Sequence, residues 1–179
     1  MLLCAAALLA PLAGGEPLRL LWRYERLAVA NGQWWRLLTA HLIHIDTWHA
    51  LLNCMGLALL WALFARSYRL SQWLVAIGLT LISIDLGFWF ISTGLAWYVG
   101  ASALLHGVFA CGCIALVRQR DRIGYVAAAI FAAKLLWEQL YGPLPFETEH
   151  PVITASHAYG AVGGALAGLL LRGRNDRLY

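Results

Sequence analysis

Apolar residues along this chain gather into six stretches, at roughly 1–13, 48–65, 71–91, 98–117, 123–141 and 152–171, separated by short polar turns. The last five approach the ~20 residues that an α-helix needs to cross a bilayer, so they predict an all-α membrane bundle. The first is shorter. It lacks the charged segment that opens a signal peptide and reads as a helix whose start lies upstream of Met1. Residues 14–47 form the longest connection, carrying Trp22, Tyr24, Trp34 and Trp35, with Trp48 just beyond. Aromatic side chains favour the headgroup level, so this segment is expected to lie in the interface.

The turns carry an orientation. Arg66 and Arg69 occupy one, and Arg118, Arg120 and Arg122 with Asp121 occupy another; Arg172, Arg174 and Arg177 follow the last span. The alternate connections hold Glu147 and Glu149, or no charge at all over 92–97. The positive-inside rule then places the basic set in the cytoplasm. Arg19, Arg23, Arg26 and Arg36 run against that pattern, but parity puts their loop outside. Both ends of a six-span chain are then cytoplasmic. The expected location is the inner membrane of a bacterium.

Composition agrees. Hydrophobic residues make up 61% of the 179 positions and charged residues 12%, against about 25% charged in an average soluble domain. Too few polar residues remain to coat a soluble domain of this length, which is that of a single domain spanning 1–179. The net charge of +4 rests on arginine, with one lysine. In a lipid-embedded chain it belongs to cytoplasmic loops and is no nucleic-acid footprint. Cys4, Cys54, Cys111 and Cys113 lie in apolar runs without CxxC spacing, and read as buried small hydrophobes, not as disulfides or a zinc site. Gly160, Gly164 and Gly168 recur every four residues on the last span, and Ala103, Gly107 and Ala110 give the fourth a similar face. Two such smooth faces can approach closely.

Polar groups inside spans are costly and default to functional readings. They are His49 and Asn53 on span two, Asp85 on span three, Ser102 and His106 on span four, Lys134 and Glu138 on span five, and His157 on span six. By the predicted topology they fall in the outer half of the membrane, which points to one polar site opening outward. The chemistry available is nucleophilic. Ser102 follows Gly100, which permits a tight backbone path, and opens a helix whose dipole favours developing negative charge. His157 could reach it across the glycine contact, and His106, one turn below, also points toward it. His49 and Asn53, four apart, offer an imidazole and an amide to an oxyanion.

These residues resemble a family, the rhomboid intramembrane proteases. The resemblance rests on Trp35-Arg36 with Thr39, the His49-x-x-x-Asn53 pair, Gly100-x-Ser102, and His157 followed by Gly160. The rhombosortase branch is the nearer likeness, through Tyr24-Glu25-Arg26, Trp34-Trp35-Arg36 and Ser102 with His106-Gly107 four residues on. The resemblance implies a six-helix bundle with an interfacial first loop. It implies Ser102 as nucleophile, His157 as base, His49 and Asn53 as oxyanion donors, and His106, Gly100 and Arg36 in support, with no cofactor. It also implies a transmembrane protein substrate whose C-terminal tail combines Gly-Gly, a membrane helix and basic residues. Ala103 departs from the glycine usual after the serine, and its methyl is expected to narrow the helix contact or the oxyanion hole.

Other readings stand beside these. Lys134 and Glu138 either neutralise each other or, with Asp85, recognise substrate at a gate on span five; Asp85 pairs with Lys134 or with a histidine. His41, His44, Asp46 and His49 could hold a metal, but they lack a His-Glu-x-x-His pattern, so no metal is expected. A catalytically inactive scaffold that binds transmembrane segments is the second function class. A haem protein using His49 and His106 is the third, and it leaves Ser102 and Asn53 without a purpose.

Overall fold

The computed structural model describes residues 1–144 and 152–173; Glu147, Glu149, Arg174 and Arg177 lie outside the described residues. Helix α1 (Leu2–Leu9) continues through a 3-10 turn at Ala10–Gly14 into α2 (Gly15–Trp22). Strand β1 (Tyr24–Glu25) and the short helices α3 (Arg26–Ala30) and α4 (Arg36–Thr39) follow. The long helices are α5 (Thr47–Phe64), α6 (Leu70–Leu86, extended by a π turn over Gly87–Ile91), α7 (Ser102–Arg118), α8 (Arg122–Tyr141) and α9 (Thr154–Leu170). Strand β2 (Trp97–Tyr98) precedes α7. Four segments are long and apolar enough to cross a membrane: Leu2–Trp22, Thr47–Phe64, Leu70–Ile91 and Arg122–Tyr141. Helices α7 and α9 are shorter, at 17 residues each. Helical structure thus runs on to Trp22, past the end expected near residue 13: Pro11 is tolerated in the first turn of the 3-10 segment, and Gly15 (φ 58°, ψ −153°) makes the break from which α2 starts.

Helix α7 is the hub. It packs against α5, α6, α8 and above all α9, while α6 closes on the other side of α9. The α7–α9 contact is made by backbone. A Cβ on Gly160 would fall on the Ala103 carbonyl, one on Gly164 on the Gly107 carbonyl, and one on Gly168 against Ile114 and Cys111. In lipid, where apolar burial drives little association, such close approach is the main source of helix-to-helix attraction. The outward faces carry Leu59, Leu74, Ile82, Ile130, Leu136, Val162 and Leu166. Cys111 and Cys113 are buried in the bundle, whereas Cys4 is exposed and Cys54 half-buried, because only the former pair lies on the hub helix.

Polar residues finish the helices. Asp46 accepts from the His49 N–H at 2.7 Å and caps α5, and Asp121 caps α8 through the Ile123 N–H. Arg118 donates to the carbonyls of Gly168, Leu169 and Leu171, satisfying the last turn of α9. The segment before α5 is held to the bundle. Strand β1 pairs antiparallel with β2, Tyr24 opposite Tyr98. Arg26 donates to the carbonyls of Phe88 and Trp89, and Arg36 to those of Leu20 and Arg23. Trp34, Trp35 and Trp48 are exposed, as interface anchors would be. Tyr24 is not. It is 1% exposed and packs on Phe88 with ring centroids 5.2 Å apart, because the β1–β2 pairing turns it inward.

The close contact predicts a specific sensitivity. Gly164→Ala is expected to cost roughly 2 kcal/mol by forcing α7 and α9 apart. Gly78→Ala on α6, which has open space around it, is expected to be neutral or to gain up to about 1 kcal/mol of helix propensity. Thermal unfolding in detergent checks this; equal losses would show that the glycine contact does not hold the bundle.

Candidate active site

Two features carry Ser102 to its place. The β1–β2 pairing and the Gly100 N–H bonded to the Ala40 carbonyl, at 2.9 Å, fix the chain entering α7. Gly100 then turns through φ 122°, a conformation that other residues rarely adopt, and a Cβ there would lie 2.8 Å from the His49 ring. Glycine therefore does two jobs: it allows the turn, and it lets His49 come against the start of α7. Ser102 occupies the first turn of that helix, where N–H groups lack intrahelical acceptors and the dipole is positive.

Across the α7–α9 contact, His157 Nε2 lies 3.0 Å from Ser102 Oγ. His157 is 2% exposed. The ring of His106 stacks on it, with centroids 4.0 Å apart and planes 5° from parallel, and His106 Nδ1 lies 2.7 Å from the Ser102 carbonyl. On the far side of His157, both Glu138 oxygens lie 3.0 Å from Nδ1. Lys134 pairs with Glu138 and also reaches His106 Nε2 at 2.6 Å.

Ser102, His157, His49, Asn53 and His106 line one cavity of about 460 Å³. Its walls are otherwise apolar, with Leu52, Leu59, Leu105, Phe109 and Phe131. Its lining comes from α5, the 94–99 segment, α7 and the start of α9, with Phe131 the one residue that α8 contributes among those described. Asn53 donates one amide hydrogen to the His49 carbonyl at 2.9 Å, and an amide nitrogen carries a second.

Other expected site residues lie elsewhere. Arg36 is a tie within the loop preceding α5, bonded also to Gln33, and does not line the cavity. Asp85 lies by Tyr24 and Tyr98, paired with neither Lys134 nor a histidine; its buried Oδ1 has no hydrogen-bond partner among the described residues. Glu138 is 1% exposed and turned under His157, so it presents nothing to a gate. Ala103 belongs to the apolar cluster with Ile84, Phe88 and Tyr98 and does not line the cavity; it is its backbone carbonyl, not its methyl, that Gly160 faces. Among the described residues the metal-ligating groups that converge are His106, Glu138 and His157, with the Lys134 ammonium already lodged among them. His41, His44, Asp46 and His49 form no such set: Asp46 caps α5, and His41 packs on Tyr98.

Glu138 is the partner that sequence reasoning missed. Its signal was only the four-residue spacing from Lys134, which puts the two on one face of a helix without saying what that face meets.

A family model for the Rhomboid domain matches residues 31–174. The chain belongs to the rhomboid family. The matched span includes every residue of the cavity, whereas α1, α2, β1 and α3 precede it. A protein of Bacillus subtilis (strain 168) described as "Putative rhomboid protease YdcA" is 26% identical over 163 residues, covering 89% of this chain and 80% of that one. No solved structure gave a significant match. Rhomboid membership supports intramembrane protease activity, and with the four long apolar helices it makes this an integral membrane protein.

The loop between α4 and α5 adds a pH dependence to this rhomboid. Burial lowers the pKa of His41 and of His44 from 6.5 to about 4. The unfolded chain takes up these protons below about 6.5 and the folded chain only near 4, so stability falls on acidification through that window. Each histidine is expected to contribute on the order of 1–3 kcal/mol to the loss. Thermal unfolding in detergent from pH 7 to 4, compared with the His41→Gln/His44→Gln variant, checks it: the variant should lose part of the slope.

Proposed function

We propose that this rhomboid is a serine endopeptidase of the rhombosortase type, with Ser102 as nucleophile and His157 as general base. The observation that carries the reading is the 3.0 Å approach of His157 Nε2 to Ser102 Oγ, at the start of a helix and inside a largely apolar cavity. A serine hydroxyl needs such a base to attack a carbonyl at useful rates.

The reaction follows the site. A substrate helix enters between α5 and α8 and unwinds over the cavity. Ser102 Oγ attacks the scissile carbonyl while its proton passes to His157 Nε2. The oxyanion is held by His49, by the second amide hydrogen of Asn53 and by the first N–H groups of α7. His157 returns the proton to the leaving amine, and the acyl-enzyme is then resolved by water or by another nucleophile.

The six apolar stretches of the sequence become six spans with cytoplasmic ends, in a bacterial inner membrane. Helices α7 and α9, though short, complete the count: α7 is enclosed by its neighbours, and α9 lies against α7 and α6 with Val162 and Leu166 facing outward. The cavity then opens to the outer side. The substrates are exported proteins whose C-terminal tails carry Gly-Gly, a membrane helix and basic residues; this rests on the likeness of Tyr24-Glu25-Arg26 and His106-Gly107 to the rhombosortase branch.

Fluorophosphonate labelling of purified protein in detergent, beside Ser102→Ala and His157→Ala, tests the chemistry. Labelling is expected in the wild type, lost with Ser102→Ala and reduced at least about 10³-fold with His157→Ala. Labelling that survives Ser102→Ala would move the nucleophile elsewhere. A folded wild type that takes no label would turn the reading to an inactive scaffold. Co-expression with a Gly-Gly-tailed reporter tests the substrate class, the expected result being a shortened reporter that depends on Ser102.

A further inference from the structure

His157 has two ring nitrogens, and the chemistry above uses one. The other, Nδ1, faces both oxygens of Glu138 at 3.0 Å. A nitrogen facing a carboxylate carries the hydrogen, which leaves the Nε2 lone pair directed at Ser102 Oγ. That is the tautomer a general base requires. Helix α8 supplies the carboxylate from a position that is 1% exposed, where a lone negative charge would be costly. Lys134, one turn earlier on α8, supplies the opposite charge.

The remaining hydrogens follow. Lys134 donates to His106 Nε2 at 2.6 Å, so His106 carries its own hydrogen on Nδ1 and donates it to the Ser102 carbonyl at 2.7 Å. The His106 ring, thus fixed, lies flat against His157. Lys134 Nζ stands 3.4 Å from His157 Nδ1, too long and poorly matched for a bond between two donors. Its charge offsets much of the help that Glu138 would give an imidazolium, so what the carboxylate contributes is the tautomer and the ring orientation.

We propose that Glu138 is a positioning residue of this site, holding His157 in the Nδ1–H tautomer, with Lys134 as its buried counter-ion. This rests on the reading of Ser102 and His157 as nucleophile and base, and it turns that pair into a Ser-His-Glu arrangement within the membrane. A role confined to folding, the pairing with Lys134 included, would lower Tm and the yield of folded protein and would leave the maximal rate of the folded protein unchanged. Glutamine can offer its amide hydrogens to Nδ1, which drives the ring hydrogen to Nε2 and blocks the base.

The test measures labelling by a fluorophosphonate–rhodamine probe in detergent, resolved into the maximal rate and the half-saturating probe concentration, with Tm recorded for each variant. Glu138→Gln is expected to lower the maximal rate about 10²–10⁴-fold, leaving half-saturation within about twofold, while Glu138→Asp recovers part of the rate. The double variant Lys134→Met/Glu138→Gln removes the lysine that the single change strands, and carries the same expected loss if Glu138→Gln alone does not fold. Wild-type rates in Glu138→Gln or in the double variant, with Ser102→Ala and His157→Ala both silent, would overturn the role of Glu138 and leave the protease reading intact. Labelling retained in Ser102→Ala would instead overturn the reading on which it rests.

Discussion

Helices α7 and α9 meet where glycine leaves no side chain between them, with Gly160 against the Ala103 carbonyl and Gly164 against that of Gly107. The spacing of Ser102 and His157 is set by this contact. A side chain the size of alanine at either glycine would hold the helices apart by more than the play in a hydrogen bond, and Ser102 and His157, one on each helix, stand 3.0 Å apart. Soluble bundles can let burial of large apolar side chains set such distances. Inside lipid that drive is weak, and the distance is set by how closely two backbones can lie.

The same economy governs charge. The bilayer core penalises each unpaired ion, and the site answers with a closed set: Glu138 against Lys134, Lys134 against His106, His106 against the Ser102 carbonyl, His157 between Glu138 and Ser102. Within this set each contact constrains its neighbours. The stacked imidazoles fix the plane of His157, and α8, which packs only lightly on α9, is tied to it through the Glu138–His157 contact. A site assembled from three helices is thereby held rigid on its inner side. Beside it lies the cavity, walled mainly by apolar side chains of α5, α7 and the 94–99 segment.

The segment before α5 supplies the third constraint. Paired to β2 through Tyr24 and bound to the α6 end by Arg26, it fixes the strand that leads into Ser102. Arg36 serves the same end by bonding the carbonyls of Leu20 and Arg23. Its distance from the cavity makes sense in these terms: it shapes the loop that shapes the serine turn.

The five long helices were legible to within a few residues, because a lipid-facing span must be apolar along its length whatever it packs on. His49, Asn53, Ser102, His106 and His157 were legible for the converse reason, since a polar group in a span stands out against a background that selects against it. The glycine series announced the α7–α9 contact, as small residues every four positions have little other use on a membrane helix. What composition and spacing left open is how each helix is turned about its axis. Lys134 and Glu138 shared a face by their spacing, but only the packed bundle turned that face toward His157 and away from any gate. Asp85, by contrast, was turned away from both lysine and histidines, and Tyr24 was drawn from the interface into the core by a two-residue strand. Helix rotation and strand pairing depend on every neighbour at once, and in a chain where 61% of residues are hydrophobic, no single stretch encodes them.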